Sequence, residues 1–88
     1  MNSTNKFGAG SKLIGKNIRV LRRLHNLSQE DVASVLHIAR QHYCMLENHR
    51  RCIDIYSLCS LADRYGVSVD DLMTKDFSAI AINSLKNE

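Results

Sequence analysis

Proline is missing from the sequence altogether, so no segment carries the residue that most abruptly ends or kinks a helix. Internal repeats and low-complexity stretches are missing too, and together these absences suit a compact helical bundle. No run approaches the roughly 18 uninterrupted apolar residues of a membrane helix. The opening MNSTNKFGAGSK has no apolar run after its lysine, so no secretory signal is expected and the cytoplasm is the expected compartment. The three cysteines, Cys44, Cys52 and Cys59, are odd in number and lack any C-x-x-C pair, which predicts reduced thiols. A zinc site from them with His42 or His49 would need two close ligand pairs, and this stretch has none; neither metal nor cofactor is expected. A nucleophilic Cys44 paired with His42 or His49 lacks a glycine-rich oxyanion turn and an acidic orienting partner, so the chain does not read as an enzyme.

What is present is ordinary in amount and uneven in placement. The 88 residues suffice for one domain and not for two, and 44% hydrophobic with 24% charged residues is usual for a soluble globular chain. A net charge of +3 is only modestly basic. The distribution says more: Arg19, Arg22, Arg23 and His25 form one basic segment, and Arg40, His42, His49, Arg50 and Arg51 another. Acids gather at Glu30, Asp31, Asp70 and Asp71.

Hydrophobic spacing predicts an all-α chain of five helices. Residues 1–11 are polar and small, with little to bury, and read as a flexible arm. From Leu13, the recurrence of Ile14, Ile18, Leu21 and Leu24 makes the stripe of helix one. Ser28 ahead of Gln29, Glu30 and Asp31 is a cap before acids, opening helix two with Val32, Ala33 and Leu36 inward. After a break at His37 and Ile38, helix three runs from Ala39 or Arg40 to Glu47 or Asn48 with Tyr43 and Leu46 inward. Its outer face then carries Arg40, Gln41, Cys44 and Met45, a set of donors, an acceptor and apolar groups able to read base edges. A basic connection leads to Asp54, which caps helix four with Ile55, Leu58, Leu61, Ala62 and Tyr65 inward, and Gly66 supplies a left-handed stop. Ser68, with Asp71 three residues on, opens a short helix five over Val69 to Met73. Residues 12–74 form the domain; 75–88 are a C-terminal extension in which Ala79 to Ile82 fit either a helix or a short strand.

Taken in order, the arginine-rich first helix, the L-S-Q-E-D-V-A junction, the YCMLEN ending and the closing LADRYGVSVDDLM resemble the lambda repressor and Cro (XRE-like) type of helix-turn-helix domain. The resemblance covers residues 14–73, about two thirds of the chain. It implies that helix three lies in the major groove of double-stranded DNA while helix two bridges it near the backbone. By this resemblance Gln29, Arg40, Gln41, Cys44 and Met45 face DNA, with His42 or His49 beside them; Arg40 suits guanine and Gln41 adenine. Arg50, Arg51, Arg19 and the amide end of helix two are expected at phosphates. An arginine of helix one pairs with the glutamate closing helix three in such domains, and Arg22 with Glu47 fits that role as a structural ion pair.

Four positions depart from the family pattern. His37 and His49 stand where glycine is frequent, which predicts positive φ at both. Ala39 replaces a capping Ser or Thr, and Ile53 stands where proline is common. The resemblance further implies a prokaryotic or phage transcriptional regulator, a repressor in the first instance, reading a palindromic operator as a homodimer. The dimer would form through the Phe77 to Leu85 tail or through helices four and five. The alternative is a protein-interaction module of the same fold, such as an antitoxin or a transcription adaptor.

Overall fold

The computed structural model describes residues 9–79, with side chains from residue 12 onward. Among these residues all regular structure is helical: α1 (Ala9–Leu24), α2 (Gln29–Leu36), α3 (Arg40–Glu47), α4 (Ile55–Tyr65) and α5 (Val69–Thr74). A further helical turn begins at 77–79. The expected helices are therefore present, and α1 starts at Ala9, so the last three residues of the expected arm are helical. A helix end needs backbone hydrogen bonds, not apolar side chains, and a stripe-based boundary misses such a turn.

Each junction is built by local chemistry. Ser28 and Asp31 form a full capping box, the Ser28 hydroxyl accepting from the Asp31 amide at 2.9 Å and the Asp31 carboxylate from the Ser28 amide at 2.8 Å. The chain leaves α2 through His37 in the left-handed region (φ 60°), whose amide and that of Ile38 return to Ser34 and Ala33 carbonyls. His49 (φ 48°) makes the equivalent stop after α3, so both histidines adopt the conformation expected of them. Ala39 and Asp54 occupy the N-cap positions of α3 and α4 without a side-chain cap; for Asp54 this corrects the expected cap. Gly66 (φ 69°) ends α4, and the Ser68 hydroxyl accepts from the Asp71 amide at 2.9 Å to open α5.

The core lies where all five helices converge: Ile18, Leu21, Val32, Ala33, Tyr43, Leu46, Leu58, Leu61, Ala62, Tyr65 and Leu72. Burying side chains of this size contributes about 1.5–3 kcal/mol each, which drives the assembly. Two expected inward residues are not inward: Leu24 is 55% exposed and Ile55 62%. Both sit at helix ends, where the stripe continues but no packing partner stands opposite among the described residues. α1 lies against both α3 and α5. Against α5 it is clamped by Asn17, which is fully buried and donates through Nδ2 to the Leu72 and Lys75 carbonyls at 2.8 and 2.6 Å. Its Oδ1 accepts from the Phe77 amide at 3.0 Å, and Phe77 packs on the core. The domain thus runs past residue 74, correcting the boundary read from the sequence, because a buried carboxamide on α1 needs the 75–77 backbone as its partner. Ile80, Ile82 and Leu85 lie outside the described residues.

Candidate nucleic-acid interface

The helix-turn-helix unit is α2 and α3, and α3 has two faces of opposite character. Its inner face carries Tyr43, Leu46 and Glu47, all buried. Glu47 is 1% exposed and forms the centre of a polar seam between α1, α2 and α3. Arg22 donates to it through Nε at 2.6 Å and Nη2 at 3.3 Å, Gln29 Nε2 donates at 3.1 Å, and Arg19 Nε stands 3.5 Å away. Arg22 also donates to the Leu27 carbonyl at 2.8 Å. Burial favours the protonated form of Glu47, but the bonds from Arg22 and Gln29 outweigh it and hold the carboxyl below its ordinary value. The expected Arg22–Glu47 ion pair is in place.

That seam closes because α1 carries a glycine at the crossing. A Cβ on Gly15 would stand 2.7 Å from the Glu47 carbonyl oxygen and 2.9 Å from that of Leu46, well inside van der Waals contact with backbone atoms. Two tyrosines line the same interior. The hydroxyls of Tyr43 and Tyr65 are buried without a hydrogen-bond partner; burial raises both, Tyr65 to about 12, so both stay neutral at physiological pH.

The outer face is open. Gln41, Cys44, Met45, Asn48 and Arg50 line one shallow concavity, with Arg40 exposed on the same helix. Cys44 is half-buried and reduced, and Met45 is 40% exposed. Other residues expected at the interface are placed differently. His42 lines a separate cleft toward α4 with Leu36, Ile38, Leu46, Arg51 and Asp54, so Arg50 and Arg51 diverge although they are sequence neighbours. Gln29 and Arg19 stand beside the reading face, but both side chains are engaged at Glu47. At the start of α2 the amides of Ser28 and Asp31 are consumed by the capping box. His49, Arg50 and Arg51 are exposed. No cluster of three metal-ligating side chains occurs among the described residues.

Residues 18–72 match the helix-turn-helix family profile. The chain belongs to the lambda repressor type of that family. It is 38% identical over 63 residues, 72% of this chain and 82% of the relative, to an uncharacterized HTH-type transcriptional regulator, y4dJ, of Sinorhizobium fredii. It is 30% identical over 77 residues, 88% of this chain and 83% of the relative, to control protein C.SmaI of Serratia marcescens. Its fold is similar to the crystal structure of ClgR, the clp gene regulator of Corynebacterium glutamicum, with a TM-score of 0.68 at 18% identity, covering 88% of this chain and 82% of that one. The protein is thus a DNA-binding regulator of transcription and not an enzyme. No helix among the described residues is long and apolar enough to cross a membrane.

The sequence reading passed over two residues that build this site. Asn48 lies two helical turns from Gln41 and so shares its face, a signal that helical spacing carries. Gly15 left no signal in the spacing, because a glycine on a helix is informative only once its neighbour is known.

Proposed function

We propose that the protein binds one operator sequence as a homodimer and regulates transcription there, acting as a repressor in the cytoplasm. The observation that carries this reading is the division of α3: the buried Glu47 seam fixes the helix on one side, and Gln41, Met45, Arg40 and Arg50, unpaired among the described residues, are exposed on the other. A rigid helix with free donors is what direct readout in the major groove requires. Arg40 and Gln41 are the proposed base readers, with Cys44 and Met45 at thymine methyl groups; Arg50, Arg51 and the flank formed by Arg19 and Gln29 serve the phosphates. His42 would reach DNA only from the α4 edge of the helix. One such domain reads few base pairs, so two copies on a palindrome supply register and affinity. The exposed Ile55, Tyr56 (84% exposed) and Met73 on α4 and α5 offer the apolar contact for the second copy.

Selection of bound duplexes from a random-sequence pool at near-physiological salt tests the reading. A two-fold symmetric site with half-site centres about one helical turn apart is expected. Binding that vanishes with modest salt whatever the sequence would leave only phosphate attraction. A second reading rests on Ile55 and Tyr56: the same patch would seat a different protein, as in an antitoxin or adaptor. Substituting Arg40 and Gln41 together abolishes operator binding under the first reading and leaves partner binding intact under the second.

A further inference from the structure

We infer that a cationic face of α1 binds backbone phosphates of the operator duplex beyond the bases that α3 reads. The inference rests on the DNA-reading role proposed for α3 and extends its footprint. Lys12, Lys16, Arg19 and Arg23 recur at spacings of four, three and four, which sets them in one stripe along α1. Lys12, Lys16 and Arg23 are exposed and Arg19 is half-buried. α1 contains no acidic residue, and its remaining arginine, Arg22, lies off the stripe and is spent on the buried Glu47. Lys16 meets Asp76 at 3.0 Å and Arg19 is held at Glu47 and Asn48. Lys12 and Arg23 have no side-chain partner among the described residues.

The packing of α1 puts this stripe at the edge of the reading surface. Gly15 and Arg22 face the end of α3, and Arg19 reaches around it: its Nη2 donates to Asn48 Oδ1 at 2.8 Å, and Asn48 lines the concavity with Gln41, Met45 and Arg50. Arg19 therefore marks where the stripe passes the end of α3, with Arg23 one turn to one side and Lys16 and Lys12 one and two turns to the other. From Lys12 to Arg23 the stripe spans about 16 Å, a length over which duplex DNA carries on the order of ten phosphates. Once α3 lies in the major groove, the duplex that continues past the end of α3 is the polyanion this stripe meets. The Lys16–Asp76 pair is half exposed on both sides and weak enough for a phosphate to displace. Contacts of this kind add affinity and length of footprint without reading a base.

The test is the salt dependence of binding by the full chain, natural and with Lys12→Gln and Arg23→Gln together, on two duplexes. One carries the selected operator with a full helical turn of further DNA at each end, and the other is trimmed to the half-sites. Both substituted side chains are exposed and unpaired, so the double variant is expected to unfold at the natural midpoint. On the long duplex its slope of log affinity against log salt is expected to be shallower by about 1.8, so that raising salt from roughly 50 to 200 mM costs it about 12-fold less affinity than it costs the natural chain. On the trimmed duplex the two slopes are expected to coincide. Unchanged slopes on both duplexes would mark a merely solvated face and overturn the proposal. An equal change on both would place the two side chains within the half-site and overturn the flanking contact. Arg64→Gln removes an exposed charge from α4, and a change as large per charge in that variant would mark net charge instead of the stripe. If selection enriches no sequence, the reading function of α3 falls; the same comparison on a long duplex of arbitrary sequence still decides the stripe, and an unchanged slope there overturns it.

Discussion

The two faces of α3 differ in what their polar groups are doing. On the inner face Glu47 is fully desolvated and engaged by Arg22 and Gln29, with Arg19 beside it. On the outer face Gln41 and Arg40 have no side-chain hydrogen-bond partner among the described residues, and Asn48 bonds to Arg19 and Cys44. The contrast shows how a reading helix is made: polarity is satisfied where it must hold the helix still and left unsatisfied where a ligand will supply the partner. Mutations on the inner face should therefore act through stability, and those on the outer face through binding.

The largest effect is expected from Glu47→Ala. It strands the buried Arg22 guanidinium, at a cost of about 3–5 kcal/mol against a total domain stability of about 5–15 kcal/mol. Urea unfolding would read it as a large fall in midpoint, and DNA binding would fall with the folded fraction. An unchanged midpoint would mean that the seam contributes no rigidity. Next comes Gly15→Ala, whose new methyl group meets two backbone carbonyls that cannot swing aside. A loss of about 1–3 kcal/mol is expected in the same assay. Gln41→Ala should invert the pattern, weakening specific binding by about 1–3 kcal/mol while moving stability by less than about 0.5 kcal/mol. Equal losses in both would break the division between the faces.

Acid should weaken the inner face. Because the fold holds Glu47 below its ordinary value of 4.5, the unfolded chain takes up that proton first as pH falls. The stabilisation is complete above that value, declines below it, and is gone once the pH passes the folded pKa. Denaturation midpoints measured from neutrality to acid should fall accordingly. Glu47→Gln should flatten the slope, leaving the part due to Asp31, Asp54 and Asp76, whose carboxyls are also held low by Ser28, by Ser57 and by Ser78 with Lys16. The smallest effect is expected from Lys16→Ala: its 3.0 Å pair with Asp76 is half exposed on both sides, and no measurable shift in midpoint should follow at moderate salt.

Truncation as a test of dimerisation must respect the same packing. Cutting after Lys75 would remove Phe77 from the core and the amide that Asn17 Oδ1 accepts. A cut after Ala79 keeps both and isolates the role of the remaining residues.

Order along the chain was legible because it is written in local chemistry. The Ser28 box, the left-handed His37 and His49, the Gly66 stop and the Ser68 cap each depend on a few neighbouring residues, and each stands where the sequence puts it. The Arg22–Glu47 pair was legible only by resemblance, since 25 positions separate its members. Side-chain direction was less legible where it depends on packing. Leu24 and Ile55 continue apolar stripes past the point where anything packs on them, and His42 and Arg51 turn toward α4, a helix whose placement no local pattern reveals.

By itself, then, the sequence determined the helices, the Ser28 and Ser68 caps and the polar face of α3 around Arg40 and Gln41, because all of these follow from residues within a turn or two of one another, while the helix-turn-helix unit was read from the resemblance. Only the tertiary structure decided that Gly15 lets α1 touch the end of α3, that Asn17 extends the domain through Phe77, and that Arg19 faces Asn48. Those are contacts between segments 29 to 60 residues apart, and their geometry is fixed by the packing of whole helices around a shared core.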